Sequence, residues 1–235
     1  MTFLQLQPQE WQALTLTLQV AFAALCFALP LAVLVAFALA RWQFPGHSIV
    51  NAMVHMPLVL PPVVTGYVLL LVLGRNGSVG RFLFETFGIS FAFNWTGAAV
   101  AAGVMAFPLM VRPIRLAFEA VDPKLEEAAS SLGAHRLVIM LVVTLPLAFP
   151  GILAGAILGF AKAMGEFGAT ITFVSNIPGE TRTLSLALYT ATQTPSGDLA
   201  AFRLTIIAAI VAFGALIASE VWARRLRKRI GSLDD

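Results

Sequence analysis

The sequence predicts an all-α, polytopic membrane protein in which five transmembrane helices form one bundle. The first observation is composition: 59% of the 235 residues are hydrophobic and only 11% are charged, whereas about 25% of residues in an ordinary soluble domain are charged. The second is that charged residues divide the chain into five uncharged runs, which can each house a helix of about 20 residues once Val221, Trp222 and Ala223 extend the short fifth run. Helices are expected because lipid offers no hydrogen-bond partners to an open backbone.

Each run is bounded by charged residues. In chain order the boundaries are Glu10 and Arg41, Arg41 and Arg75, Glu85 and Arg112, Arg136 and Lys162, and Arg203 and Glu220. No basic segment precedes the first run, so we expect no cleavable signal peptide. Residues 167–202 are interrupted by Glu180, Arg182 and Asp198. We interpret this segment as outer-surface loops with one partly inserted short helix near 184–192, rather than as a sixth span.

The distribution of Lys and Arg predicts the orientation, because cytosolic segments carry the excess of these residues. With the N-terminus outside and the C-terminus in the cytosol, ten basic residues lie inside and five outside. The basic tail, 223–235, is then an anchor at the inner membrane surface rather than a nucleic-acid site. The inner set is Arg41, Arg112, Arg115, Lys124, Arg136, Arg224, Arg225, Arg227, Lys228 and Arg229.

The sequence lacks the motifs of most membrane enzymes. None of its three lysines follows a glycine, so a P-loop is absent. The three histidines lie far apart, and the single cysteine, Cys26, cannot form an intrachain disulfide. We expect Cys26 to pack in the core, and we expect the chain to bind no metal or cofactor. A transport subunit is therefore favoured over an enzyme, with a channel or a secondary transporter as the alternatives.

Residues 122–146 form the most informative loop between spans. Asp122 and Pro123 suit the N-cap and the first helical position, and Gly133 is placed to end the helix in a left-handed turn. Between them an apolar stripe falls on one face at helical spacing: Leu125, Ala128, Ala129 and Leu132. Such a helix can dock into a groove of another protein or pack beneath the bundle.

The same loop resembles the signature loop of ABC importer permeases. That pattern is Glu-Ala-Ala, three residues, Gly, nine residues, a branched apolar residue, one residue, and Leu-Pro. Here it reads Glu127-Ala128-Ala129, Gly133, then Val143-Thr144-Leu145-Pro146. In the family this loop is the coupling helix that inserts into the ATPase subunit. The resemblance therefore implies an ATPase-coupling role for Glu126, Glu127, Ala128, Ala129, Leu132 and Gly133.

Other segments resemble the molybdate branch of that family. They are Phe44-Pro45-Gly46, residues 58–66, residues 165–170 and residues 174–183. The likeness covers about residues 10–222, although sulfate and tungstate permeases share the coupling loop and part of the Gly-Glu-Phe-Gly segment.

The resemblance implies a type I ABC importer permease-like fold, one permease domain over 1–235, and a multi-pass place in the cytoplasmic (inner) membrane. It also implies alternating access by a homodimer with two ATPase subunits, which use the ATP. A periplasmic or extracellular oxyanion-binding protein would deliver the substrate.

Two charges near the end of the fourth span are candidates for an outer gate. Lys162 follows Pro146 by 16 residues, which is about 24 Å along a helix, and Glu166 lies four residues further. The two can pair across one turn, either as part of a gate or as an interfacial ion pair. We expect a low-affinity passage lined by small and hydroxyl groups, with these further candidates: Gly165, Phe167, Gly168, Thr170, Thr172 and Ser175.

Small residues and prolines predict where helices approach and where they break. Gly151, Gly155 and Gly159 form a small-residue face that permits close approach to another helix, within the subunit or across a dimer. Prolines remove helix hydrogen bonds inside the second and third spans, and they mark either the pathway or ordinary kinks. They are Pro57, Pro61, Pro62 and Pro108.

Overall fold

A computed structural model describes residues 7–231, apart from the side chains of 216, 218–220 and 222–231. Within that range every regular element is helical, which confirms the all-α prediction. The helices are α1 (Pro8–Arg41), α2 (His47–Val59), α3 (Pro62–Leu73), α4 (Ser78–Phe87), α5 (Trp95–Glu119), α6 (Pro123–Ser131), α7 (Arg136–Ile139), a π-helical turn (Met140–Thr144), α8 (Leu145–Met164), α9 (Gly168–Val174), α10 (Leu184–Thr192) and α11 (Asp198–Gly231).

Four stretches of the described chain are long and apolar enough to cross a membrane, and a fifth is broken. The four are α1, α5, the continuous helix 136–164 and residues 198–215 of α11. The second predicted span consists of α2 and α3, which meet at an angle of 116°. Pro61 and Pro62 explain the break, because neither has a backbone N–H to continue the helix. Five spans result when the bent pair counts as one.

The packing of α1 against α5 shows that these two helices run in the same direction. Their N-terminal halves share one apolar cluster, in which Val20 and Ala24 lie with Ala98 and Ala102. Their C-terminal halves share a second cluster, which contains residues from Ala28 to Leu39 of α1 and from Ala106 to Phe118 of α5. Because both helices run from one face of the bundle to the other, α2 and α3 must return the chain between them.

Glycines let α8 approach α5 closely. A Cβ added at Gly155 would lie 2.8 Å from the carbonyl oxygen of Met110 and from Cγ1 of Ile114. One added at Gly151 would lie 2.2 Å from Cβ of Ala117, and Gly159 faces the side chain of Met110. The predicted small-residue face is therefore confirmed, and its partner is a helix of the same subunit.

The segment after the fourth span contains α10 at Leu184–Thr192, where a short helix was predicted, and also α9, which was not. The amphipathic α4 was not predicted either. The expectation for Cys26 was wrong, because its side chain is exposed on the surface of the single chain. A polarity pattern cannot separate lipid-facing from buried positions when both are apolar. The predicted basic tail, 223–235, lies outside the described side chains.

We expect Gly155→Ala to lower the thermal unfolding midpoint of the purified protein in detergent. The added methyl must displace a backbone carbonyl of α5, and overpacking of this kind costs about 1–3 kcal/mol. Gly214→Ala is the matched control, since that helical glycine has nothing within 4 Å of an added Cβ. Equal midpoints for both variants would contradict close packing of α8 on α5.

Candidate functional site

The helix of the predicted coupling loop has the predicted limits. The Asp122 carboxylate accepts a hydrogen bond from the Lys124 backbone N–H at 3.0 Å, and Pro123 occupies the first turn. After α6, Gly133 adopts φ +85°, the left-handed conformation that glycine allows without strain. The helix is therefore capped at both ends by its own sequence and does not depend on a partner for its shape.

One face of α6 is uncovered. Leu132 is 90% exposed and Leu125 is 49% exposed, and Glu127 and Ala128 are also exposed. No residue of α6 is buried by the rest of the described chain. Packing of the apolar stripe beneath the bundle is thus excluded for the single chain, and the stripe is available to another protein.

Glu126 fastens the opposite side of α6 to the membrane helices. Its Oε1 atom accepts a hydrogen bond from Nη2 of Arg41 at 2.8 Å and another from the hydroxyl of Thr144 at 2.6 Å. Arg41 is the last residue of α1, and Thr144 ends the π-helical turn that leads into α8. We call Arg41, Glu126 and Thr144 the coupling triad.

The triad lies in a protected position. Thr144 is 2% exposed, and the side chains of Arg41 and Glu126 are 19% and 27% exposed. A charge-assisted hydrogen bond in such a place is stronger than a fully solvated one. Beside the triad is a cavity of about 470 Å³ between α1, α6 and α7. It is lined by residues that include Trp42, Glu126, Ser130, Arg136 and Thr144.

The predicted charge pair at the end of the fourth span is formed. Lys162 Nζ donates to Oε2 of Glu166 at 2.6 Å, and the Glu166 side chain is only 1% exposed. Its other oxygen, Oε1, accepts from the backbone N–H of Ala169 at 3.0 Å. Glu166 therefore also caps the positive N-terminal end of α9, where an acidic group is favourable.

The hydroxyls of two predicted pathway candidates, Thr170 and Thr172, donate hydrogen bonds to backbone carbonyls at the start of α9. Thr170 donates to the carbonyl of Phe167 at 2.8 Å and is 1% exposed. Thr172 donates to the carbonyl of Gly168 at 2.9 Å. Ser175, by contrast, is exposed and has φ +65°. Of the three hydroxyls, that of Ser175 is therefore the most accessible to a solute.

The remaining candidates position α9. Gly168 packs on α3, since an added Cβ would lie 2.7 Å from Cβ of Pro62. Phe167 packs against Tyr189 of α10 with the two rings tilted and their centroids 5.2 Å apart, and Gly165 is exposed at the end of α8. The structure therefore brings these residues together between α3, α8 and α10.

The loop after α9 is held by its own polar side chains. Thr181 is fully buried; its hydroxyl accepts from the Ile177 N–H at 2.8 Å and donates to the Ser175 carbonyl at 3.2 Å. Asn176 accepts from Arg182 Nε at 2.9 Å and donates to the Thr190 hydroxyl at 2.8 Å. Hydrogen bonds made by its own side chains therefore hold the loop in one conformation.

The sequence reasoning missed Arg41 and Thr144. Arg41 lies 85 residues before Glu126 in the chain, and Thr144 lies 18 residues after it, so no local pattern connects them. Across the described residues, no group of three or more His, Cys, Asp and Glu side chains is arranged to hold a metal ion.

Comparison with solved structures shows that this bundle, with α6 exposed at one face, has the fold found in ABC transporters. The structure matches that of a bacterial ABC transporter for alginate import with a TM-score of 0.75 over 94% of this chain and 80% of that one, at 19% identity. It matches the methionine ABC transporter MetNI with a TM-score of 0.66 over 92% of this chain and 94% of that one, also at 19% identity. These likenesses establish the fold.

The chain belongs to the family of binding-protein-dependent transport system inner membrane components, whose profile matches residues 28–231. It is 54% identical to the molybdenum transport system permease protein ModB of Escherichia coli K12 over 94% of this chain and 97% of that protein. The ModB of Haemophilus influenzae is 50% identical over the same shares. The sulfate transport system permease protein CysT of Salmonella typhimurium is 37% identical over 79% of this chain and 67% of that protein. These relatives are permeases, which confirms a transport subunit rather than an enzyme.

A double-mutant cycle on Arg41→Ala and Glu126→Ala tests the triad. We expect an interaction energy of about 0.5–3 kcal/mol in the apparent free energy of unfolding, because the two side chains are directly bonded and sheltered. The control cycle is Arg81→Ala with Glu85→Ala, a pair whose side chains are 71% and 59% exposed and for which about 0.2–1 kcal/mol is typical. Additive effects at Arg41 and Glu126 would show that the contact does not hold α6.

Proposed function

We propose that this chain is the membrane-spanning subunit of an ATP-driven importer that carries molybdate across the inner membrane. The observation that carries the proposal is the 54% identity to a molybdenum permease along almost the whole of both chains. Sulfate is the second candidate substrate, because a sulfate permease is 37% identical over 79% of this chain. The working unit would be two copies of this chain, two ATPase subunits and a soluble oxyanion-binding protein.

The exposed stripe of α6 would dock in a groove of the ATPase subunit. Leu132 is the most exposed apolar side chain of that stripe, and its burial would contribute roughly 1.5–3 kcal/mol. When ATP binding draws the two ATPase subunits together, α6 moves with them. The coupling triad would pass that movement to α1 and α8, so that the two permease subunits open towards the outside.

The segment from Lys162 to Ser175, at the end of α8 and in α9, would act in gating rather than in anion selection. Lys162 is neutralised by the buried Glu166, so the pair offers no free positive charge to a dianion. A tetrahedral dianion requires hydrogen-bond donors or compensating charge wherever it leaves water. Tight selection would then belong to the binding protein, and this chain would provide a passage of low affinity.

The proposed orientation places the N-terminus outside and the C-terminus in the cytosol. Glu10, near the start of α1, forms an ion pair with Arg203, near the start of α11, at 3.0 Å. Both helices therefore begin at one face, and α6 lies at the other, beside Arg41. The excess of basic residues in the segments on the α6 side favours the cytosol for that face.

A reporter fused after residue 235 should signal a cytosolic location, and one fused before residue 7 should signal an external one. The physical reason is the odd number of crossings between the two ends. Each terminus is fused in turn to a phosphatase that is active only outside and to a fluorescent protein that is fluorescent only in the cytosol. The two reporters at one terminus then control for each other. Two reporters in the same compartment would refute the proposed topology.

Glu127→Lys and Gly133→Pro should leave the chain inserted but reduce uptake relative to ATP hydrolysis. The first reverses a charge on the exposed docking face of α6, and the second removes the left-handed turn that ends the helix. Glu85→Lys is the control, since it reverses an exposed charge away from this loop. Normal binding-protein-stimulated ATPase activity and normal uptake in both variants would contradict a coupling role.

The substrate is tested by uptake into vesicles that contain this chain, its ATPase and its binding protein. Molybdate should accumulate with ATP and should not accumulate when the binding protein is omitted. Uptake of sulfate but not molybdate would overturn the substrate assignment and retain the importer. Accumulation of molybdate without ATP would instead indicate a channel or a secondary transporter.

A further inference from the structure

A second polar cavity lies between α2 and α5, on the side of the bundle that carries the coupling loop. Its volume is about 320 Å³, and its lining includes Asn51, His55, Arg112, Arg115, Leu116 and Glu119. Arg112 lies seven residues before the end of α5 at Glu119, which is about 10 Å along the helix. The cavity therefore occupies the inner part of the membrane domain rather than its outer surface.

The positive and negative side chains that line the cavity do not balance, since two arginines face one glutamate. Arg115 Nε binds Oε1 of Glu119 at 2.7 Å, and its Nη1 donates to Oδ1 of Asn51 at 3.0 Å. The carboxylate of Glu119 is thus neutralised within the lining. Arg112 is exposed and forms no ion pair with any described residue. The cavity therefore carries one uncompensated guanidinium.

The histidine of the cavity is held in place from its own helix. His55 Nδ1 lies 2.8 Å from the carbonyl oxygen of Asn51. A carbonyl can only accept, so Nδ1 carries the proton and donates. The ring is thereby fixed against the wall formed by α2, beside the side chains of Asn51 and Arg115.

The open side of this cavity cannot face the hydrocarbon of the membrane. A guanidinium inside the span of a membrane helix faces a bundle interior or a water-filled space, because hydrocarbon cannot solvate it. Yet α2 has no buried residue in the single chain, so this chain does not close the cavity itself. The open side of the cavity therefore has to face water or a second subunit. A water-filled passage between two subunits would provide both of these neighbours.

We propose that Arg112, with His55 and Asn51 beside it, forms a release-side binding site for the tetrahedral oxyanion in the inner half of the pathway. The inference rests on the proposed function and adds a site to it. A guanidinium presents paired donors that match two oxygens of an oxyanion. Because Arg112 is solvent-exposed, the affinity should be low, and low affinity suits a site from which the anion leaves into the cytosol.

The test uses the complete transporter with Cys26→Ser and Leu116→Cys. Leu116 lines the cavity one helical turn after Arg112 and is 57% exposed, so a thiol there reports on the site without removing it. The measurement is the rate of labelling by a membrane-impermeant thiosulfonate from the cytosolic side, with and without molybdate. Leu137→Cys, in α7 on the same side of the bundle and 63% exposed, is the control for general effects of the salt.

Molybdate should slow labelling of Leu116→Cys severalfold and leave labelling of Leu137→Cys unchanged. The protection should disappear in Arg112→Gln and persist in part in Arg112→Lys, each compared with its own rate without molybdate. Absence of labelling at Leu116→Cys would overturn the proposal, because the cavity would then be dry. Labelling that molybdate does not slow, in a transporter with normal uptake, would overturn it equally.

An anionic lipid headgroup has the same phosphate-like chemistry as the transported anion, so the vesicle composition distinguishes the two. The proposal requires protection by molybdate in pure phosphatidylcholine. Protection that appears only when phosphatidylglycerol is added, without further effect of molybdate, would assign the site to lipid and overturn the proposal. If the transported anion proves to be sulfate, sulfate should give the protection, and the site then survives the failure of the molybdate assignment.

Discussion

The close packing of α5 between α1 and α8 is the constraint on which the rest of the structure depends. Within a bilayer no hydrophobic force drives one apolar helix against another, so contact relies on small side chains that let backbones approach. Alanines on α1 and α5 and glycines on α8 provide that contact. Met110, Ile114 and Phe118 of α5 are fully buried as a result. The packing brings the end of α1 and the start of α8 to one place at the same membrane face.

That place is where α6 is attached. Arg41 and Thr144 belong to different spans, and both bind the same carboxylate oxygen of Glu126. The stripe that contains Leu132 faces away and remains uncovered. One side of this short helix is therefore fixed to the bundle while the other is free to meet a partner. We infer that α6 moves with α1 and α8 as one body, so that displacement of a docked ATPase becomes displacement of the membrane helices.

The local features of this design are readable from the sequence, whereas the contacts between distant segments are not. Asp122, Pro123 and Gly133 fix the limits of α6 through capping chemistry that acts within a few residues, and they were predicted correctly. The pairs Arg41–Glu126 and Asn51–Arg115 join residues 85 and 64 positions apart, and nothing near either residue signals its partner. Adjacent prolines indicated the break at Pro61, but they do not specify the 116° angle between α2 and α3. Cys26 was misplaced because lipid-facing and buried positions have the same polarity.

The most direct measurement of rigid-body coupling is ATP-driven uptake by a transporter in which α6 is covalently tied to α1. In a Cys26→Ser background, Trp42→Cys and Ser130→Cys place two thiols on the lining of the cavity beside the triad, where a short cleavable bifunctional reagent can join them. Each single cysteine variant, treated in the same way, controls for modification alone. Retained uptake in the cross-linked protein is the predicted result. Loss of uptake that returns when the link is reduced would contradict the account, because it would show that α6 must move relative to α1.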